Sequence, residues 1–237
     1  MKTMRIIITC EHGGNKIPRE FFQLFNKHKN ILASHRGYDT GALELADNLY
    51  KTSGDFFFHY VTSRLLIDLN RTVINPKLFS NITKPLADEI KEQIKSKHYF
   101  PYIKSVEEKV RRIINQNNLV IHISVHTFTP VLNGNKRKTD IGLLYDPQKK
   151  TEKKFCKTWK ENITEISQYN VRFNYPYRGV ADSLTSYFRK QFGDKKYIGV
   201  ELEVNQKFLY QNTTNWETIK DVLAKSLAAS LRHLRRK

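Results

Sequence analysis

The chain has 237 residues, of which 39% are hydrophobic, 12% aromatic and 27% charged, a balance that excludes a disordered or collagen-like protein. Its formal net charge is +18, from 41 Lys and Arg against 23 Asp and Glu, which suits anionic partners such as nucleic acid, anionic lipid or acidic small molecules; the plainest reading is a lysine-rich solvated surface. No apolar run approaches the roughly 18 residues of a membrane span, and MKTMRIIITCEHGG turns polar too early for a secretory signal.

Met4–Cys10 is an apolar run of strand length and reads as a buried strand. Pro18 suits a first helical turn, so a short helix is expected from there to about Lys27. Tyr38–Lys51 reads as a helix with Leu43, Leu45, Ala46 and Leu49 near one face, followed by a strand over Phe56–Val61. Leu86–Gln116 reads as two helices, broken where Pro101 disfavours helix at Phe100. Leu119–Val125, Ile141–Tyr145 and Tyr197–Val204 are expected strands, with helices over Glu152–Ile166 and Asp182–Phe192. Asn215–Leu234 is a closing helix with Asn215 as its cap and Arg232, Arg235, Arg236 and Lys237 at its negative end. The run GNKRKTD reads as a mobile loop between strands. Strands alternating with helices predict an α/β fold whose mixed, largely parallel central sheet is flanked by helices, with residues 1–237 as one domain. Cys10 and Cys156 make neither a disulfide framework nor a four-cysteine zinc site, and read as reduced thiols of a cytoplasmic protein.

Polar residues collect where four strand-like segments end. TCEHGG carries Glu11 and His12, IHISVHTF ends on His126, YIGVELEV carries Glu201 and Glu203, and VTSRLLIDLNR ends on Asn70 and Arg71. Ligands of open α/β sheets bind beyond the carboxyl ends of the strands. Strand alternation puts His122, Ser124 and His126 on one face and Ile121, Ile123 and Val125 on the other. Glu201 and Glu203 likewise share a face, with Glu201 about 7 Å deeper and expected to be a structural partner. Gly13-Gly14 permits a tight turn close to a ligand. The phosphate-loop, HExxH and GxSxG patterns are all absent. Two histidines plus a carboxylate, with one position open, is the donor pattern of catalytic zinc.

The segments ITCEHGGNKIP, YDTGALELADNL, SRLLIDLNRT, HYFPYIKSV, ISVHTFTPVLNG, DIGLLYD, NYPYRGVAD and YIGVELEVNQKFLY resemble, in that order, the N-formylglutamate amidohydrolase family. The resemblance implies a zinc-carboxypeptidase-like α/β fold and metal-dependent hydrolysis of an N-acyl amino acid, foremost N-formyl-L-glutamate to formate and glutamate, a late step of histidine breakdown. It implies His12 and His126 as ligands of one zinc or other divalent ion, and Asp39 of YDTGA as the third. Glu11 competes for that place, because the carboxypeptidase HxxE spacing falls on Asn15. It further implies Glu203 as general base, and Asn70 with Arg71 as a carboxylate anchor. Arg178 is a further anchor, and Arg64 either an anchor or the group that polarises the scissile carbonyl. Asp68 is expected to hold its loop, His122 to be buried and hydrogen-bonded, and His35 to lie at the entrance or on the surface. Two rival readings remain at this stage: an enzyme for another N-acyl amino acid or short peptide, and a basic nucleic-acid-binding protein on a hydrolase fold, supported by charge alone.

Overall fold

The computed structural model describes residues 3–235; Arg236 and Lys237, expected at the end of the closing helix, lie outside them. Strand β1 is Met4–Cys10. Residues 19–32 form short helical turns that include α1 (Phe22–Phe25) and α2 (Lys29–Leu32), in place of the one helix expected from Pro18. Helix α3 (Ala42–Ser53) and strand β2 (Phe56–His59) follow. Helices α4 (Asp88–Ile94) and α5 (Phe100–Asn115) are joined by a π-helical turn, Lys95–Tyr99. No break occurs at Pro101, which sits in the first turn of α5, where a missing N–H costs little.

Strands β3 (Leu119–Phe128) and β6 (Ile141–Leu144) flank a small antiparallel hairpin, β4 (Val131–Leu132) with β5 (Asn135–Lys136). That hairpin takes up the first residues of the expected loop, Gly134–Lys136, and its turn places Asn133 and Gly134 at positive φ. Helix α6 (Lys150–Ile166), strand β7 (Val171–Phe173), helix α7 (Leu184–Gln191), strand β8 (Tyr197–Asn205), helix α8 (Lys207–Gln211) and helix α9 (Thr213–Arg235) complete the chain. Helix α7 starts two residues after the expected Asp182, and Ser183 caps it through a reciprocal capping box with Ser186. Asn215 lies inside α9 rather than at its start.

The six-stranded sheet runs β2-β1-β3-β8-β6-β7. The first four strands are mutually parallel, and β6 and β7 run the other way. One face, with Ile6, Ile8, Ile121, Ile123, Val200 and Leu202, packs under α3, α6 and α9. The other face packs Ile7 and Val120 under α5 and α7. After β1 the chain crosses through α3 to β2; it then returns through α4 and α5 on the other face to β3. The carboxyl ends of β1 and β3 therefore flank a switch in strand order, where open α/β sheets leave a crevice.

The α5 face turns polar toward that crevice. His122 is fully buried and bridges Thr9 Oγ1 (2.8 Å from Nε2) and the Tyr197 hydroxyl (2.6 Å from Nδ1). Burial, helped by the nearby Arg189 and His126 charges and opposed by Glu11, pulls its pKa down from 6.5 to about 4. A second buried polar group ties α6 to α7 and β8. The Glu152 carboxylate accepts from Arg189 Nε (2.8 and 3.0 Å), Gly199 N (3.0 Å) and Asp146 N (2.9 Å). Arg189 also donates to the carbonyls of Gly179 (2.6 Å) and Gly199 (2.8 Å).

Two measurements follow from these buried groups. Glu152→Ala leaves the Arg189 guanidinium buried without its counter-charge and should lower stability by about 3–5 kcal/mol in urea unfolding; a loss below about 1 kcal/mol would remove this pair from the fold's supports. The neutral His122 contributes its full stabilisation above pH 6.5 and loses it as pH falls toward 4, so metal-free protein should lose roughly 3 kcal/mol more than His122→Gln between pH 7 and pH 4. Parallel pH–stability curves for the two proteins would show that His122 does not titrate there.

Candidate metal and catalytic site

The β1 edge is set by backbone contacts. Gly13 N donates to the Tyr60 carbonyl and Lys16 N to the Val61 carbonyl, both at 3.0 Å. A Cβ on Gly14 would lie 2.5 Å from the Val61 oxygen. The two glycines thus serve a close approach to segment 60–62 rather than to a ligand. Asp39 N donates to the His12 carbonyl (3.0 Å), which fixes the loop before α3 against the end of β1. His126 reaches the same edge from β3, in register with Glu203 of β8, while Glu201 pairs with Ser124 one pleat deeper.

These strand ends bring two imidazoles onto one carboxylate. Asp39 Oδ2 lies 2.8 Å from His126 Nδ1 and 3.3 Å from His12 Nδ1, and one ligand atom from each residue falls within 4.8 Å of the others. The far nitrogens are also engaged. His12 Nε2 is 2.7 Å from Asp68 Oδ1; His126 Nε2 is 2.9 Å from Ser124 Oγ and 3.3 Å from Glu11 Oε2. Ser124 (2.6 Å) and Tyr102 (3.1 Å) donate their hydroxyls to Glu11. Each imidazole is therefore held from behind by a carboxylate, the arrangement that orients metal-ligating histidines, and both inner nitrogens turn toward the shared Asp39 oxygen.

Glu11 and Asp39, the two competitors for the third ligand, thus separate in space. Asp39 faces both inner nitrogens, whereas Glu11 sits behind His126. Asp68, expected to hold its loop, does so by accepting from Asn70 N (3.0 Å), and it also backs His12. Arg64 clamps both aspartates, donating to Asp68 Oδ2 (2.8 Å) and Asp39 Oδ1 (3.4 Å).

Burial pushes the carboxyls of Asp39 and Asp68 upward, but the imidazoles and Arg64 outweigh it and hold both below the usual range. Glu11 is held down at about 2, burial being outweighed by hydrogen bonds from His126, Ser124 and Thr9 and by the His126 charge. Burial pulls His126 down, but Asp39 and Glu11 raise it well above 6.5. Without a metal, then, a proton on His126 supplies positive charge among these carboxylates. Two neutral imidazoles and a carboxylate suit a divalent ion there, and its binding would displace that proton.

Glu203 behaves differently. Burial first, then the Asp39 and Glu201 charges, push its carboxyl up to about 8 against the opposing His126 and Arg64 charges. Its Oε2 is buried and has no hydrogen-bond partner among the described residues. Glu201 accepts from the Thr185 hydroxyl (2.8 Å) and still borders the cavity. That cavity, of about 200 Å³, reaches from His12, Asp39 and His126 past Glu203 to Arg178. Arg71 lines it while donating to the Asp182 carbonyl (2.7 Å). Asn70 spends its side chain on Leu184 N (2.8 Å) and lies 3.3 Å from His126 Nε2. Arg178 makes no ion pair or side-chain hydrogen bond among the described residues, so it is the least committed cation on this cavity.

All eight proposed site residues border this cavity. The segment bearing Arg64, Asn70 and Arg71 arrives as a run of turns rather than a strand. Sequence reasoning missed Ser124 and Tyr102 as partners of Glu11, and Tyr177 as part of the cavity wall. A serine inside the strand-like run IHISVH and an aspartate inside the largely apolar run LLIDLN are the available signal for buried hydrogen-bonding roles.

Comparisons with known proteins bear on the fold and the family. Gene product Atu2144 from Agrobacterium tumefaciens superposes with a TM-score of 0.78 at 23% identity, over 99% of this chain and 92% of its own. An N-formylglutamate amidohydrolase from Ralstonia eutropha JMP134 does so with a TM-score of 0.72 at 16% identity, over 100% and 96%. A metallo-carboxypeptidase from Burkholderia cenocepacia aligns with a TM-score of 0.44 at 15% identity, over 100% and 58%. No curated protein sequence matches the chain. The family model for N-formylglutamate amidohydrolase matches residues 4–210, and the chain belongs to that family.

Proposed function

We propose that the protein is a zinc-dependent amidohydrolase of N-acyl amino acids, with N-formyl-L-glutamate as the substrate of first choice. The observation that carries this reading is the meeting of His12, Asp39 and His126 beside a Glu203 oxygen that is buried and unpartnered. His12 Nδ1, His126 Nδ1 and an Asp39 oxygen would hold the ion, with Asp68 and Glu11 fixing the two rings. A divalent ion bound there supplies Lewis acidity, which makes a water acidic near neutral pH and polarises an acyl carbonyl.

The chain's own groups do the rest. Burial and then the Asp39 and Glu201 charges raise the Glu203 carboxyl, and a divalent cation beside it would offset those charges and favour its ionised form; Glu203 Oε2 then takes a proton from the attacking water and later delivers it to the departing amine nitrogen. The acyl C–N bond breaks as a C–O bond forms, and the products are a carboxylic acid and the free amino acid. Arg178 and Arg71 meet the amino acid's carboxylates, where a guanidinium fork suits a carboxylate better than an ammonium does. Arg64 keeps Asp39 and Asp68 ionised and lies on the cavity wall where oxyanion charge develops. The +18 charge fits an acidic substrate.

Zinc at a hundredfold excess over its dissociation constant should stabilise the protein by about 2.7 kcal/mol, or roughly 5–10 °C in melting temperature. His126→Ala and Asp39→Ala should abolish that shift; a full shift in both variants would move the ion elsewhere. Zinc-loaded protein should release formate from N-formyl-L-glutamate and stop on chelation. Glu203→Gln should keep its zinc and lose about 10²–10⁴-fold in kcat, and near-normal turnover in that variant would take the proton-transfer role away from Glu203.

A further inference from the structure

A second cavity, of about 370 Å³, adjoins the catalytic one. The two share Asp39, Arg64, Arg71, Thr127 and Tyr177 as walls, so they meet beside the metal-binding carboxylate. Beyond that shared wall the second cavity is lined by His35, Arg36 and Lys77 and by an apolar strip of Leu65, Phe128 and Leu132. Arg36 and Lys77 are exposed, and neither side chain makes an ion pair or hydrogen bond among the described residues. The acids on this wall, Asp39 and Asp68, are already committed to Arg64 and the imidazoles. The outer cavity therefore presents an apolar strip, free positive charge and no free carboxylate.

An amide held beside Asp39 has two substituents. The inner cavity, with Arg178 and Arg71, suits the amino-acid half, which leaves the outer cavity for the acyl half. A formyl group carries no carbon chain to fill it. A few methylenes would lie along Leu65, Phe128 and Leu132, and a carboxylate at their end would meet Arg36 and Lys77. We propose that the outer cavity is an acyl subsite for dicarboxylic acyl groups, such as succinyl, with Arg36 and Lys77 binding the distal carboxylate. This rests on the amidohydrolase reading above. Hydrolysis of such a substrate adds water across the same C–N bond, giving the free dicarboxylate and the amino acid.

The test compares N-succinyl-, N-butyryl- and N-formyl-L-glutamate on wild-type protein and on Arg36→Ala/Lys77→Ala. Butyryl has the length of succinyl without its terminal carboxylate. In the double variant, kcat/KM for the succinyl substrate relative to the butyryl one should fall about tenfold through KM, as expected for two partly exposed ion pairs. Added salt should reduce the same ratio in wild type. An unchanged ratio overturns the proposal. Calorimetric binding of N-succinyl- and N-butyryl-L-glutamate to zinc-loaded Glu203→Gln protein, with and without the two alanines, gives a readout independent of turnover. There the succinyl preference should again drop about tenfold, and its absence in the parent overturns the subsite. If none of the three substrates is cleaved, the amidohydrolase reading falls, and the binding ratio alone decides the subsite.

Discussion

The Asp39 carboxylate lies almost out of reach of water, and the site depends on what surrounds it. An ionised carboxylate without partners could not persist there, because burial strongly disfavours its charge. His12 and His126 close on one of its oxygens and Arg64 approaches the other. Those partners need support in turn: Asp68 backs His12, and Glu11 with Ser124 backs His126. The result is an alternation of negative and positive groups whose inner nitrogens converge. The same convergence that keeps a proton on His126 in the metal-free protein suits a divalent ion in its place.

The sheet supplies the precision. Because β1, β3 and β8 are parallel, the residues at their carboxyl ends lie along one edge without long loops to place them. The register of β3 with β8 sets Glu203 beside His126 and Glu201 beside Ser124. The residues on that face run from buried and hydrogen-bonded, His122 between Thr9 and Tyr197, to buried and unpartnered, Glu203 Oε2. A polar row inside a sheet is tolerated only where each group finds a partner. The buried Glu203 Oε2, at the edge of the row and without a partner among the described residues, therefore stands apart from its neighbours.

The cations divide by commitment rather than by number. Arg189 is locked to Glu152, Arg64 to two aspartates and Arg71 to the Asp182 carbonyl. Those contacts make them parts of the framework and leave Arg71 partly available. Arg178 on the inner cavity, and Arg36 with Lys77 on the outer one, make no ion pair among the described residues. A basic composition thus becomes selective positive charge on both cavities beside the His12, Asp39 and His126 cluster.

The sequence by itself determined the alternation of strands and helices, because apolar runs of strand length and amphipathic periods are local signals. Strand alternation also assigned His122, Ser124 and His126 to one face of their strand, and Glu201 and Glu203 to one face of theirs; that the two faces coincide came from the register of β3 with β8. Motif order was enough for the family. What lay beyond reach was every partnership made across the sheet. The choice of Asp39 over Glu11 depends on the path of the loop before α3, pinned by one backbone hydrogen bond to His12. The pairing of Asp68 with His12 joins residues 56 apart, and Arg71 meets Asp182 across 111. The short hairpin over residues 131–136 and the unbroken passage through Pro101 were likewise beyond reach, since turn geometry and a π turn leave little trace in hydrophobic pattern. Local chemistry selected the residues capable of building the site; only the order of strands and the routes of the loops decided which of them touch.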